Sequence, residues 1–301
     1  MFSTRSGAAK LSLAVVIGLI VLKVVAGFIT GSISIFAQAT DSFLDLFAIG
    51  IVFFAVSVAT RPADKEHPFG HGKAEDIAAI VQAVLIFAAG GLIIYSAVRR
   101  IIFGTALELT EAGIGVMVVS IIVSVFLSRF LLKVSRATDS IALEASARNI
   151  AADVYSAAGV LVGLVAIRFT GLNILDPIIA LLVALFILKV AYDVLRKSFG
   201  GLVDVKLPEA EENAIRSAIL EHVGELVEFH ELRTRKAGSQ RYIDLHVVMP
   251  RNISLEEAHR MCDHLEQDIE TRLQCASVII HVEPCDEKCE QCPIPPELRK
   301  D

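Results

Sequence analysis

The sequence predicts a polytopic α-helical membrane domain of six transmembrane helices plus a C-terminal cytoplasmic α+β domain of order α-β-β-α-β. Three observations carry this expectation. The 301 residues are 54% hydrophobic and only 21% charged, with no Trp and a mean hydropathy of +0.62. Apolar runs recur through the first two thirds, and a run of roughly 20 residues suffices to cross a hydrocarbon core. After Val203 charged residues crowd in and the apolar period shortens, which marks a soluble unit. The expected boundaries are a six-helix domain over 1–203, an α+β domain over 204–284 and a Cys-rich tail over 285–301.

Helix one, Leu11 to Thr30, follows Arg5 and Lys10 and reads as a span, because no small-x-small cleavage site with a polar start comes after it. Lys23 within it is expected to snorkel or to pair inside the bundle. The short connection Gly31-Ser32-Ile33-Ser34 makes helix two, Ile35 to Val58, its antiparallel neighbour. Prolines, glycines and charges from Arg61 to Lys73 then force a loop into water. Helix three runs from Ile77 to Ile102, helix four from Ile114 to Leu132, and helix five from Ala142 to Ile167. Asp176-Pro177 reads as an N-cap followed by a first-position proline opening helix six, which ends near Arg196-Lys197.

In the soluble part, Pro208 with Glu209, Glu211 and Glu212 starts a helix that reaches Glu221, acid in its first turn opposing the helix dipole. Val227 to Arg235 is a strand. In Arg241 to Met249, Ile243, Leu245 and Val247 alternate with Tyr242, Asp244 and His246, the period of a half-buried strand. Ser254-Leu255-Glu256-Glu257 fits a capping box, so a helix follows to Leu273. Ser277 to Val282 is the last strand.

Basic residues set the orientation. Arg5, Lys10, Arg61, Lys65, Lys73, Arg129, Lys133, Arg136, Arg196 and Lys197 gather on one side, against Arg99, Arg100 and Arg168 on the other. By the positive-inside rule both termini are cytoplasmic, in a multi-pass protein of the inner (plasma) membrane. The net charge of −6 and a pI near 5.8 leave no basic tract for nucleic acid. None of the five cysteines precedes Cys262, and Cys285-x3-Cys289-x2-Cys292 is a poor disulfide framework. It reads either as a metal-binding tail or as untethered thiols, since three ligands leave a zinc site incomplete.

The membrane domain contains an energetic anomaly. Asp41 and Asp45 lie one turn apart in helix two, and each buried carboxylate costs roughly 2.5–3.5 kcal/mol at a bilayer centre on insertion scales. Asn149 and Asp153 repeat the i,i+4 spacing in helix five. The two pairs can present four oxygens across one helix contact, a divalent-metal site halfway across the membrane. Interhelical hydrogen bonding alone would leave three carboxylates repelling one another unless protonated or metal-bound. Such carboxylates hold protons without metal and release them on binding, so metal-for-proton exchange follows. All eight histidines lie outside the spans, and an all-oxygen site leans toward Mn²⁺ or Fe²⁺ over Zn²⁺.

Two further groups are candidates. Asp64, His67 and His71 offer one carboxylate and two imidazoles, either as metal ligands or as a polar turn whose histidines cap neighbouring helices. His230, His246, His259, His281 and Glu283 fall on the predicted strands and second helix of the soluble domain, as a metal site or as scattered surface histidines.

Taken together, Asp-x3-Asp in helix two, polar-x3-Asp in helix five, the loop His67-Pro68-Phe69-Gly70-His71-Gly72-Lys73 and the small α+β tail resemble the cation diffusion facilitators. The likeness is greatest to their bacterial ferrous-iron and zinc efflux members and runs to about Pro284. It implies a homodimer of six-helix protomers that exports divalent cations (Mn²⁺ or Fe²⁺ favoured, with Zn²⁺, Co²⁺ and Cd²⁺ as further substrates) in exchange for protons by alternating access. It also implies an interfacial metal site at Asp64, His67 and His71. A cytoplasmic site of His230, His246, His259, His281 and Glu283 would join two metallochaperone-like domains, and Lys73 with Asp204 would form a charge interlock. Relatives commonly carry His at the position of Asn149 and Asp at that of Glu283, and the Cys tail is outside the family pattern.

Two other classes compete. An intramembrane aspartyl protease needs catalytic aspartates on facing helices, whereas Asp41 and Asp45 share one, and no G-x-G-D stretch occurs. A metal-sensing or assembly scaffold with vestigial transport requires the membrane ligands to be dispensable. The expectation is a transporter, not an enzyme.

Overall fold

The computed structural model describes residues 4–30, 33–103, 111–170, 172, 174–222 and 226–285, and these divide into two compact units, Met1–Phe199 and Gly200–Asp301. The first unit is built from six long helices: α1 (Arg5–Thr30), α2 (Ile33–Ala59), α3 (Lys73–Phe103), α4 (Glu111–Thr138), α5 (Ile141–Thr170) and α6 (Leu175–Leu202), the last running on into the second unit. Among the described residues four stretches are long and apolar enough to cross a membrane: Arg5–Ile29, Lys73–Phe103, Ile114–Thr138 and Pro177–Leu202. Helices α2 and α5 are of similar length and carry Asp45 and Asp153.

The helical core lies between α1, α2, α4 and α5, where Val16, Ile20, Ile49, Val52, Leu131 and Leu143 are buried together. Helix α3 joins through small residues, with Ala79 and Ala83 packed on Ala145, and Ile86 in one cluster with Ala152 and Ile187. Gly90 permits the close approach of α3 to α6, since a Cβ there would lie 2.8 Å from Leu188. Phe28, Phe47, Phe54, Phe126 and Phe169 point outward, the inverse of a water-soluble surface and what a hydrocarbon surround favours.

Several helices begin before the expected residue, α1 at Arg5 and α4 at Glu111 among them, and two of the differences bear on the packing. Helix α6 begins at Leu175, so Asp176 is inside the first turn and is not its N-cap; the Ile178 N–H donates to the Ile174 carbonyl at 3.3 Å. Pro177 fits there because first-turn N–H groups have no intrahelical partner. Helix α3 begins at Lys73, four residues before Ile77, and thereby draws Glu75 and Asp76 into the buried interior. Glu75 accepts from Ser140 Oγ at 2.5 Å and pairs with Arg5 at 3.2 Å, tying α1, α3 and the start of α5 together.

The second unit contains α7 (Glu209–Glu221), β1 (Glu228–Ala237), β2 (Gln240–Met249), α8 (Leu255–Arg272) and β3 (Ala276–Pro284). The sheet order is β1-β2-β3, with β1 antiparallel and β3 parallel to β2. Ile243, Leu245 and Val247 face a core shared with Ile215 and Ile219 of α7 and Met261, Leu265 and Ile269 of α8. Both halves of the predicted capping box are present, Ser254 accepting from the Glu257 N–H and Glu257 from the Ser254 N–H. Arg241 is fixed beneath the sheet edge by a two-pronged pair with Glu211 at 2.6 and 2.9 Å.

Candidate metal centres

The loop between α2 and α3 is organised by its own backbone. Asp64 Oδ1 accepts from the N–H groups of Glu66 at 3.0 Å and His67 at 2.7 Å, an Asx-type turn. Gly70 donates to the His67 carbonyl at 2.9 Å, and its φ of +76° is a conformation that glycine adopts without a Cβ penalty. This fold-back sets His67 Nδ1 3.2 Å from Asp64 Oδ1 and His71 Nε2 3.5 Å from Asp64 Oδ2. Asp64, His67 and His71 each offer a ligand atom within 4.8 Å of the others, a group that could hold a metal ion. The His67 N–H, foremost, holds the Asp64 carboxyl below its usual range, against a smaller opposing effect of burial. The carboxylate is thus ionised well below neutral pH. His71 Nδ1 is buried with no hydrogen-bond partner among the described residues, and it is the His71 carbonyl, not the ring, that accepts from Ala74 at the start of α3.

The second cluster is assembled by strand register. His230 pairs across the ladder with His246, and His246 with His281, so three imidazoles form a row. They occupy the sheet face opposite the core-facing Leu245 and Val247. Ring centroids are 5.3 Å apart for His230–His246 and 4.7 Å for His246–His281. Glu283, two residues beyond His281, reaches all three: 2.9 Å to His246 Nδ1, 3.4 Å to His230 Nε2 and 3.7 Å to His281 Nε2. Its carboxyl is held below the usual range, first by the hydrogen bond to His246 and then by the other imidazoles. His230, His246 and Glu283 offer ligand atoms within 4.8 Å of one another.

His259 is not brought to this row. It lies on α8, across the sheet, where it is 75% exposed and 3.5 Å from Asp263. Sequence reasoning missed Glu231, whose carboxylate is 3.9 Å from His246 Nε2. A bulge between His230 and Arg233, with Glu231 at φ +50°, turns it toward the row. No local pattern announces such a bulge.

In the helical unit, α2 packs against α5. Asn149 is 8% exposed, Asp45 half-buried and Asp153 exposed. Asp41 belongs to α2 and its side chain lies outside the described residues. Lys23 pairs within the bundle, donating from Nζ to Ser42 Oγ at 2.7 Å, so a cation of α1 is held beside the acidic stretch of α2. Arg148 is engaged by Glu144 one turn earlier at 3.6 Å. Lys73 opens α3, while Asp204 lies 3.6 Å from Arg235 in the second unit. Cys285 is buried at the end of β3, its N–H donating to the Met249 carbonyl at 2.9 Å; Cys289 and Cys292 lie outside the described residues.

Comparison with known proteins supplies the context for these clusters. Residues 9–203 match the cation efflux transmembrane domain, and residues 207–285 the cation efflux protein cytoplasmic domain. The chain is 35% identical over 279 residues to the uncharacterized transporter sll1263 of Synechocystis, covering 93% of this chain and 90% of that one. It is 32% identical over 295 residues to the cation-efflux pump FieF of Salmonella arizonae, covering 98% and 96%. The FieF of Salmonella agona is 34% identical over 280 residues, covering 93% of each chain.

Proposed function

The chain belongs to the cation diffusion facilitator family of cation efflux transporters, and from that membership we propose that it exports divalent transition-metal cations from the cytoplasm in exchange for protons. The substrate site is formed by Asp41, Asp45, Asn149 and Asp153 in the packed α2–α5 pair, with all of α1 to α6 as spans and both termini cytoplasmic in the inner membrane. The observation that carries this reading is a buried carboxamide, Asn149, in a helix packed against the one that bears Asp45 and Asp41. Oxygen donors favour Mn²⁺ and Fe²⁺, with Zn²⁺, Co²⁺ and Cd²⁺ as further substrates. Protons occupy the carboxylates after the ion leaves and are released when the next one binds.

The other assignments rest on the same family membership. The working division is 1–203 for transport, 204–284 for metal binding and dimerisation, and 285–301 for the Cys-rich tail. Asp64, His67 and His71 hold an ion near the membrane surface; His230, His246, His281 and Glu283 hold one on the cytoplasmic sheet. His259 cannot reach its own row across the sheet and joins that site from the second protomer of a homodimer. Lys73 and Asp204 serve as the charge interlock at the membrane border.

The test is metal flux into proteoliposomes containing a pH-sensitive dye. Wild-type protein should move Mn²⁺ and Zn²⁺ with a counterflow of protons. Flux unaffected by an imposed pH gradient would refute exchange, and wild-type flux from Asp45→Ala and Asp153→Ala would refute the site.

A further inference from the structure

Gln82 is fully buried in α3, at 0% exposure, and its carboxamide is only half used. Its Nε2 donates to the Ala48 carbonyl of α2 at 2.7 Å. That bond assigns the amide without ambiguity, because a carbonyl can only accept. The other end, Oε1, is buried and has no hydrogen-bond partner among the described residues. A buried acceptor left unpaired is costly and calls for an explanation.

Its position supplies one. Helices α3 and α5 run parallel: Glu75 accepts from the Ala142 N–H at 3.5 Å, and Ile86 shares a cluster with Ala152. Gln82 lies between these levels, beside Ala79 and Ala83, which pack on Ala145. It therefore stands level with Arg148 and Asn149 of α5. Through Ala48 it also touches α2 within one turn of Asp45. No other polar side chain of α3 is placed between both ligand-bearing helices at this level.

We propose that Gln82 is a positioning residue of the transport site, its Oε1 accepting a hydrogen bond from the Asn149 carboxamide when Asn149 coordinates the ion. An asparagine binds a cation through Oδ1 and must then direct its two N–H groups elsewhere. In a helical interior they need an acceptor, and Gln82 Oε1 is a buried one with no hydrogen-bond partner among the described residues. The bond turns Oδ1 toward the ion, as outer-shell partners orient ligands at metal sites generally. It gives one of the two amide N–H groups an acceptor while Oδ1 is turned to the ion. The same side chain also ties α2 to α3 at Ala48, so the orienting group moves with the helix that carries Asp45.

This inference rests on the site proposed above, and the experiment separates the two. Mn²⁺ flux is measured in proteoliposomes for full-length Gln82→Leu, Asn149→Ala, Asn149→Asp and the Gln82→Leu/Asn149→Asp double variant. Gln82→Leu should raise the KM for Mn²⁺ by about 10-fold, the lower end of the range for outer-shell losses, with a smaller change in maximal rate. In the Asn149→Asp background Gln82→Leu should add no further loss, because a carboxylate has no N–H to orient. Unaltered flux in Asn149→Ala would overturn the site reading itself. Impaired Asn149→Ala with a wild-type KM in Gln82→Leu would overturn this proposal alone, as would an equal loss from Gln82→Leu in both backgrounds. Gln82→Met, close in length, is measured alongside, and a purely structural defect in either variant would reveal itself as that equal loss.

Discussion

The cytoplasmic histidine row and the proposed transport site gather their ligands by opposite means. In the sheet, cross-strand pairing of His230, His246 and His281 fixes three imidazoles through backbone ladders, and Glu283 bridges them. Moving one ligand would mean breaking strand hydrogen bonds. In the helical unit, the proposed ligands sit on two separate helices, α2 and α5, which pack through side-chain surfaces that can slide or tilt while both helices stay intact. A register-built site suits holding an ion, and a packing-built site suits letting one go. Under the proposed function, retention and transport are thus divided between two kinds of structural contact.

The sharpest way to break this contrast is to remove a transport ligand. Asp45→Ala should lower metal flux by about 100-fold or more, because it removes one of the four proposed oxygen ligands from a low-dielectric site that offers no replacement. Ion binding at the histidine row should be unchanged, since its ligands are held by a separate unit. Flux assays and calorimetric titration of the same purified variant read both quantities, and a loss in both would show that the two sites are not independent.

The converse substitution is Glu283→Ala. It deletes the one group within reach of all three imidazoles, and binding at the row should weaken at least 10-fold, as loss of a ligand or its orienting partner does. Some flux should persist. If Glu283→Ala abolished flux as completely as Asp45→Ala, the row would be a required step in transport and not a place of retention.

How much of this was legible follows from the range of the forces involved. The element order was readable because apolar runs and two-residue alternation are local signals, and the order α1 to α8 with three strands is the one expected. The loop site was also local, since Asp64, His67 and His71 lie within eight residues and one Asx turn closes them. The histidine row was half legible. The residues alternate correctly in each strand, but their alignment depends on pairing between distant strands and on the bulge at Glu231. That same bulge hid Glu231 itself. Glu75 lies before the apolar run, which begins at Ile77, whereas the helix begins earlier and folds the carboxylate against Ser140 and Arg5. Gln82 is a single polar residue in the apolar stretch after Ile77, and nothing in the sequence pairs it with a spaced partner.

Selectivity offers a finer test of the packing-built site. Asn149→His replaces an amide oxygen by an imidazole nitrogen, and nitrogen donors favour Zn²⁺ over Mn²⁺. We expect the Zn²⁺ to Mn²⁺ flux ratio to rise several-fold in competition assays. An unchanged ranking would mean that Asn149 is not a ligand, and the contrast would then rest on Asp41, Asp45 and Asp153.

The smallest expected effect concerns what holds the retention unit together. Helix α8 covers the core face of the sheet, and its first turn depends on Ser254 and Glu257 capping each other. Ser254→Ala should cost about 1 kcal/mol, typical of a lost N-cap. The Ser254 hydroxyl and backbone hold the Glu257 carboxyl below its usual range. A lowered folded-state pKa stabilises the fold above the unfolded value, near 4.3 for a glutamate. That contribution disappears as pH falls through the lower folded value. The difference in stability between wild type and Ser254→Ala should therefore be largest near neutral pH and shrink on acidification below about 4. Chemical denaturation at pH 7 and pH 3.5 measures it directly. A difference that stays constant would mean that the cap acts through the serine hydroxyl alone, and the histidine row would then rest on a helix whose start is insensitive to the charge of Glu257.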